Sequence, residues 1–101
     1  MIDSILIRQL SDEDAVVTEV VYNKLKIIIG SMYFDVNRQI EYDLNKIEAI
    51  MQHAKGTGTI LAIDSNARST TWHDHITNHR GRILEEFLVS VKLHILKNIA
   101  T

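Results

Sequence analysis

The chain has 101 residues, a formal net charge of -2, no cysteine and no proline. This length allows one domain at most, in which more than half of the unfolded surface becomes buried. Without cysteine the chain has no disulfides and no thiolate metal sites, which fits a reducing compartment. A pI near 6.2 argues against a strongly basic nucleic-acid clamp. The composition, 46% hydrophobic and 24% charged residues, is that of an ordinary globular protein. No apolar run approaches the ~20 residues that cross a bilayer, so we expect no membrane partner.

The first third of the chain has the composition of β-strands. Residues 4–10, SILIRQL, have the length and Ile/Leu content of a short strand, and a polar break follows. Residues 15–34 are rich in Val, Ile and Tyr and divide at Asn23 and Lys24 into a hairpin. The second arm, KIIIGSMYF, is so continuously apolar that we predict a central strand covered on both faces. Gly30 within it indicates a bulge or a close backbone approach.

A helical period begins after Asp35, and Asp35 or Asn37 is a candidate for its N-cap. Gly56 and Gly58 close its far end. Residues 59–64, TILAID, then have the profile of a second buried strand. The apolar residues at helical spacing are Ile40, Leu44, Ile47, Ile50, Met51 and Ala54.

Helical spacing returns from Arg80 to about Val91, and residues 93–98, LHILKN, follow as a short strand. Two successive strand–helix–strand passages predict an α/β (α+β) fold, with a mixed β-sheet packed with helices. Because there is no internal repeat or evident linker, we expect residues 1–101 to form one unit.

The stretch ILAIDSNARSTTWHD contains the candidate site. Ligands collect at the carboxyl ends of strands in α/β sheets, and Asp64 and Asn66 stand where a strand should end. If the chain is still extended there, residues at i and i+2 point to the same side. A carboxylate can take a proton from water or bind a metal, and an amide can donate to a phosphate oxygen. The pair therefore suits phosphoester hydrolysis, although Asp-Ser-Asn is also ordinary turn chemistry.

This stretch, followed by NHRGRILEEFL and LHILKN, resembles the middle of the endonuclease/exonuclease/phosphatase family. The closest likeness is to the apurinic-type endonuclease domain of non-LTR retrotransposons, whose strand ends in Asp-x-Asn-Ala before a Ser and a Trp. Upstream, IIIGSMYFD resembles the family strand that ends in Ser-x-Tyr, and DLNKIEAIM resembles the helix between the two strands. The likeness covers about residues 15–98. The matching positions after the strand are Asp64, Ser65, Asn66, Ala67, Ser69, Trp72, Arg80, Gly81, Glu85, Glu86, Phe87 and residues 93–96.

The resemblance implies a partial four-layer α/β sandwich and a magnesium-dependent phosphodiesterase that nicks DNA for retrotransposition. Asp64 would orient or deprotonate the attacking water, and Asn66 would hold that water or the scissile phosphate. Tyr33 would stabilise developing charge near the phosphate. Arg68 and Ser69 would contact backbone phosphates. From the residues alone, Tyr33 is equally well a tyrosine packed on the core, and Arg68 an exposed loop residue.

The chain departs from the family pattern in two respects. Ile63 stands where the family usually has Gly before the catalytic Asp. Family members are also roughly twice as long, and their other segments supply an Asn, a metal-binding Glu and an Asp-His pair. We therefore expect residues 1–101 to be a single partial domain, a central fragment that does not cut DNA and whose metal ligands are unknown. Membership of a retrotransposon protein would imply a nuclear location.

Three other interpretations remain open at this point. Trp72 stacks on a base or, as is more usual, anchors its loop against the sheet. A zinc site is the second, since zinc binds His and carboxylate. The third is a non-enzymatic α/β interaction module that self-associates through exposed sheet edges. The zinc site would use the run His73, Asp74, His75 and His79.

Overall fold

A computed structural model describes residues 2–72 and 74–95. The chain divides into two compact units, one up to Ser65 and one from Asn66 onward. Within the residues that the structure describes, the first unit contains four strands and one α-helix, and the second contains one α-helix. Each unit also has a short 3-10 turn there, Arg8–Leu10 and Thr70–Trp72 respectively. The elements are β1 (Ile2–Leu6), β2 (Ala15–Tyr22), β3 (Leu25–Tyr33), α1 (Ile40–His53), β4 (Gly58–Asp64) and α2 (His79–Ser90).

The strands form one mixed sheet in the order β1-β2-β3-β4. The β1–β2 and β2–β3 pairs are antiparallel, whereas β4 lies parallel to β3. Asn23 and Lys24 both have positive φ, 48° and 70°, which is the geometry of a tight type I′ hairpin turn. The predicted α/β class, the mixed sheet and the hairpin are therefore confirmed.

Helix α1 crosses over from β3 to β4 and covers one face of the sheet. A Cβ added at Gly30 would lie 2.7 Å from Leu61 Cδ2 and 4.0 Å from Ile50 Cδ1, so β3, β4 and α1 approach closely here. The register runs through Gly30 without interruption, which excludes the bulge and leaves the predicted close approach. The buried core of this unit is Ile7, Ala15, Val17, Ile28, Met32, Phe34, Ile40, Leu44, Ile47, Ile50 and Ala54.

The other face of the sheet is exposed. Burial alternates along β3, where Ile28 is buried while Ile27 is 37% and Ile29 41% exposed, and Ile60 on β4 is 53% exposed. The predictions that residues 26–34 form a strand covered on both faces and that residues 59–64 form a second buried strand are therefore wrong. A continuous apolar run shows how much apolar surface a strand offers, but not whether the chain supplies a cover for it.

Two element boundaries also differ from the predictions. The first strand runs from Ile2 to Leu6, two residues earlier at its start than predicted. Ile7 N still donates to Val17 O at 2.8 Å, but Ser11 Oγ donates to Ile7 O at 2.8 Å and accepts from Val17 N at 3.0 Å, so the Ser11 side chain takes the place of the next ladder bond. The N-cap of α1 is Gln39, without a side-chain cap bond. Asp35 instead accepts from Asn37 N at 2.8 Å in the preceding turn, so neither predicted residue is the cap.

In the second unit, α2 begins and ends within a residue of the prediction. Asn78 Oδ1 accepts from Gly81 N at 2.8 Å as the N-cap. Lys92 adopts φ 62° after the helix, and Leu93 N donates to Leu88 O at 2.9 Å, a helix end of the Schellman kind. The predicted strand 93–98 is not formed over residues 93–95, and its remainder lies outside the described residues. In the described ranges, neither helix has the length and apolar character to span a membrane.

Candidate functional site

Tyr33 and Asp64 lie side by side at the carboxyl ends of the parallel pair. They are direct partners in the β3–β4 register, and Phe34 N donates to Asp64 O at 2.9 Å, so the pairing continues to the last residue of β4. Partners in a sheet project from the same face. Both side chains are on the exposed face, with Tyr33 45% exposed. The phenol and the carboxylate can therefore meet one ligand.

The chain is no longer extended at Asn66. Strand β4 ends at Asp64, and Asn66 has φ 49°, in the left-handed region that Asn adopts more readily than most residues. The alternation rule that was expected to align Asn66 with Asp64 therefore does not apply. Asn66 is exposed and begins the second unit.

The loop after Asn66 is attached to the N-terminus of α2. Asn78 N donates to Arg68 O at 2.9 Å, and Arg68 N donates to Asn78 Oδ1 at 3.1 Å. A Cβ on Gly81 would lie 1.9 Å from Arg68 O, so only glycine allows this approach. Trp72 Nε1 donates to Ala67 O at 3.2 Å, which ties the indole to its own loop. The backbone of Arg68 is therefore held in place, while its side chain is exposed.

Ser69 is fully buried and holds this loop from inside. Its hydroxyl donates to Glu85 Oε1, which also accepts from Thr71 Oγ1 at 2.9 Å. Ser69 Oγ accepts from Thr71 N at 3.0 Å, and Ser69 N donates to Asp74 Oδ2 at 3.2 Å. This hydroxyl is thus directed into the loop and not toward an exposed surface where a backbone phosphate would bind. The predicted phosphate contact of Ser69 has no support from this geometry.

Sequence reasoning did not identify Asn78 and Glu85 as residues that build the loop. For Asn78 a signal was available, since an Asn three residues before Gly81 at a helix start is a typical N-cap. For Glu85 there was none. From its sequence position, a carboxylate in the middle of a helix is expected to face water. In the folded chain, the hydroxyls of Ser69 and Thr71, 16 and 14 residues earlier, donate to the Glu85 carboxylate.

The end of β3 is held by a network of charged groups. Tyr33 N donates to Asp14 O at 2.8 Å, and the Asp14 carboxylate accepts from Arg38 Nη1 at 3.1 Å. Arg38 Nη2 donates to Asp43 at 2.5 Å, and Asp43 is fully buried on α1. The hydrogen bond to Asp43 raises the pKa of Arg38 further above its ordinary value. The guanidinium also lies 4.5 Å from the centroid of the Tyr42 ring, so Arg38 joins α1 to the end of the strand that carries Tyr33.

The described residues do not by themselves fit a metal site. Magnesium takes six oxygen ligands in a near-octahedral arrangement. Across residues 2–72 and 74–95, no three His, Asp or Glu side chains are grouped so that they would hold a metal ion. Asp64 is thus a lone candidate ligand. The described residues of the possible zinc site, Asp74, His75 and His79, do not form such a group either. The fourth residue, His73, lies outside the described residues.

A protein-family model described as endonuclease-reverse transcriptase matches residues 27–101, which is more than half of the chain. The chain belongs to this family. The matched range contains all five predicted site residues, Tyr33, Asp64, Asn66, Arg68 and Ser69. The resemblance stated from the sequence is therefore confirmed.

The family assignment agrees with a solved structure. The endonuclease domain of TRAS1, a telomere-specific non-LTR retrotransposon, matches with a TM-score of 0.92 and 29% sequence identity. The match covers 99% of this chain and 46% of that chain, so the present chain spans about half the length of that solved domain. A search of curated protein sequences gives no match.

Proposed function

We propose that this member of the endonuclease-reverse transcriptase family is part of a domain that hydrolyses phosphodiester bonds in DNA, for retrotransposon target nicking. We further propose that both units belong to one endonuclease/exonuclease/phosphatase-type domain. The family match extends over residues 27–101 and the solved-structure match over 99% of the chain, and both ranges include parts of each unit.

The pairing of Tyr33 with Asp64 carries this proposal. Adjacent strands lie about 4.8 Å apart, so both side chains can reach one tetrahedral phosphate. The Asp64 carboxylate would orient the attacking water and accept its proton. The Tyr33 phenol would donate a hydrogen bond to a phosphoryl oxygen as negative charge develops on it. These roles need exposure, a shared face and a fixed strand end, and the two residues have all three.

In the second unit, Asn66 and Arg68 would contact phosphate groups of the DNA. The Asn66 amide can donate to a phosphoryl oxygen, and the exposed Arg68 guanidinium suits a backbone phosphate of the DNA. The hydrogen bonds from Arg68 to Asn78, and from Ser69 to Glu85, restrain the backbone just after Asn66. Such restraint favours catalysis because less freedom is lost when the phosphate binds. We assign Ser69 a positioning role in this loop.

The same proposal includes magnesium, which the family uses to polarise the phosphoryl group. The described residues offer Asp64 without a grouped set of further ligands, so the other ligands of a magnesium ion would come from other parts of a complete domain. We propose that 101 residues carry only part of the active site and do not cleave DNA by themselves. The 46% coverage of the TRAS1 domain supports this, since more than half of that domain has no counterpart here.

Transplantation into a complete domain tests the proposed roles. Residues 2–95 would replace the aligned segment of the TRAS1 endonuclease domain, and the chimera would be assayed for nicking of supercoiled plasmid with magnesium. We expect nicking that Asp64→Asn reduces at least about 100-fold and Tyr33→Phe about tenfold or more, with Val36→Lys as an exposed control outside the site.

Two results would contradict the proposal. A folded chimera that nicks equally well with Asp64→Asn would remove Asp64 from catalysis. If the 101-residue chain nicks plasmid and loses this activity with Asp64→Asn, the chain is a nuclease but the proposed incompleteness is wrong. Circular dichroism of each variant separates loss of activity from loss of fold.

A further inference from the structure

Two backbone hydrogen bonds hold the carboxyl end of β3. Tyr33 N donates to Asp14 O at 2.8 Å, and Phe34 N donates to Asp64 O at 2.9 Å. The first bond attaches Tyr33 to the residue just before β2, and the second attaches Phe34 to the last residue of β4. The Tyr33 ring is 45% exposed, so fewer packed neighbours fix it than fix a buried ring. The place of the phenol therefore depends on where its backbone is held.

Asp14, which accepts from the Tyr33 backbone, is itself held by Arg38. The Asp14 carboxylate accepts from Arg38 Nη1 at 3.1 Å, while Arg38 Nη2 donates to Asp43 Oδ1 at 2.5 Å. Asp43 lies on α1 and is fully buried, so the helix provides a fixed anchor for the guanidinium. Arg38 therefore connects a fixed point on α1 with the residue to which the Tyr33 backbone is bonded.

The chemistry of arginine suits this connection. A guanidinium is planar, and its nitrogens can bind two carboxylates at once in a fixed geometry. The Tyr42 ring, whose centroid is 4.5 Å from Arg38 Cζ, restrains the same group from one side. The Arg38 and Asp14 side chains are only 24% and 26% exposed, and such shielding from water strengthens hydrogen bonds between charged groups. The connection is therefore stiffer than an ion pair on an open surface.

A second ion pair joins α1 to the same turn without contact to β3. Lys46 Nζ lies 2.5 Å from Asp12 Oδ2, two residues before Asp14. In the described part of the chain, the contacts of Asp12 are with Lys46, Asp14 and Ala15 and not with Tyr33. This pair is therefore a matched control for changes in Arg38.

We propose that Arg38 is a positioning residue for the Tyr33 phenol. Arg38 holds Asp14 against α1, which fixes the carbonyl that accepts from Tyr33 N and thereby the strand end from which the phenol projects beside Asp64. This rests on the proposed function, in which the phenol donates to a phosphoryl oxygen. A donor to developing charge has to be in place before the reaction, and a shift of roughly 1 Å can cost on the order of a hundredfold in rate.

Amide hydrogen exchange in the 101-residue chain tests this connection without a cleavage assay. Arg38→Gln should speed exchange at the Tyr33 amide at least about tenfold more than at Ile47, a fully buried residue of α1 whose exchange follows the stability of the whole unit. Lys46→Gln, the control, should change exchange at Tyr33 and Ile47 by the same factor.

Asp14→Ala is a second variant in case Arg38→Gln weakens the fold. It removes the carboxylate that Arg38 binds but keeps both the Asp14 carbonyl and the pair of Arg38 with Asp43. We expect the same local increase at the Tyr33 amide, because the carbonyl is no longer held against α1.

Nicking by the chimera with the TRAS1 domain tests the consequence for catalysis. Arg38→Gln should lower kcat about tenfold with little change in KM, since the phenol acts on charge that develops in the transition state. If Arg38 acts through Tyr33, Arg38→Gln should cause no further loss in a Tyr33→Phe chimera. Lys46→Gln should leave kcat within about twofold of wild type.

The possible failures are distinguishable. If Arg38→Gln and Asp14→Ala change exchange equally at Tyr33 and Ile47, Arg38 stabilises the whole unit and the positioning role is wrong, while the proposed function is untouched. An undiminished effect of Arg38→Gln in the Tyr33→Phe chimera also overturns the positioning role. If Tyr33→Phe nicks as well as wild type, the role of the phenol in the proposed function is wrong, and the positioning role is wrong with it.

Discussion

Single ion pairs attach the turns of the first unit to α1. Lys46 Nζ lies 2.5 Å from Asp12 Oδ2, and Arg38 bridges Asp14 to buried Asp43. The Lys46–Asp12 and Arg38–Asp43 pairs differ in environment, since the Asp12 side chain is 43% exposed whereas the Asp43 side chain is buried. Exposed pairs contribute little to the free energy of unfolding, while a buried carboxylate depends strongly on its partner.

The Asp12 pair gives a pH prediction. The hydrogen bond from Lys46 lowers the pKa of Asp12 below its ordinary value of 3.8. A lowered folded-state pKa stabilises the protein above the unfolded value, and this contribution is lost as the pH falls through the folded value. Asp12→Asn should therefore lower the free energy of unfolding at pH 7 by less than about 1 kcal/mol, and by progressively less below pH ~3.8.

Urea denaturation at pH 7 and at pH 3 measures this difference. Glu48→Gln, which changes an exposed carboxylate on the same helix as Lys46, is the control and should have little effect at either pH. If Asp12→Asn is as destabilising at pH 3 as at pH 7, the effect does not come from the charge on Asp12.

At the scale of elements, α2 serves as the support for the loop that begins at Asn66. Its N-cap residue Asn78 and its first-turn Gly81 contact the backbone of Arg68, and Glu85 one turn later accepts from two loop hydroxyls. The loop and the helix therefore form one structural element. A change in the first turn of α2 should reach the residues proposed to bind phosphate.

Gly81→Ala is the most direct test of this support. Alanine is favoured over glycine in a helix by about 1 kcal/mol, yet here its Cβ would lie 1.9 Å from Arg68 O. We expect a net destabilisation of roughly 2–4 kcal/mol, because a backbone atom must move. Gly58→Ala is the matched control, with its nearest neighbour at 3.9 Å, and should stay within about 1 kcal/mol of wild type. Equal stability of the two variants in urea denaturation would show that the loop is not held against Gly81.

At the scale of the whole molecule, the two sides of the sheet should respond differently to an introduced charge. Ile60 projects from the exposed side and is 53% exposed, whereas Ile28 projects from the side that α1 covers and is 1% exposed. We expect Ile60→Lys to change the free energy of unfolding by less than about 1 kcal/mol, because its ammonium group stays in water. Ile28→Lys should lower the free energy of unfolding by roughly 4 kcal/mol or more, because it buries an unpaired charge. Urea denaturation measures both variants, and equal destabilisation would contradict the exposure of this side of the sheet.

Prediction from the sequence succeeded where the pattern is local. Helix α2 was located within about a residue at both ends, the hairpin was placed at Asn23 and Lys24, and Asp64 was placed at the end of its strand. Prediction failed at the end of β1, where Ser11 contacts Ile7 and Val17, and at the start of α1, where Gln39 replaced the expected caps. The burial of Ser69 also depends on a carboxylate 16 residues away.

The sequence by itself determined the family, the order of strands and helices and the residues available for phosphate chemistry, because periodicity and short motifs are properties of neighbouring residues. Only the tertiary structure decided that Tyr33 is paired with Asp64, that the chain turns at Asn66 and that one side of the sheet is open. These features depend on which distant segments pack together, and the same apolar strand is compatible with a covered face or an exposed one.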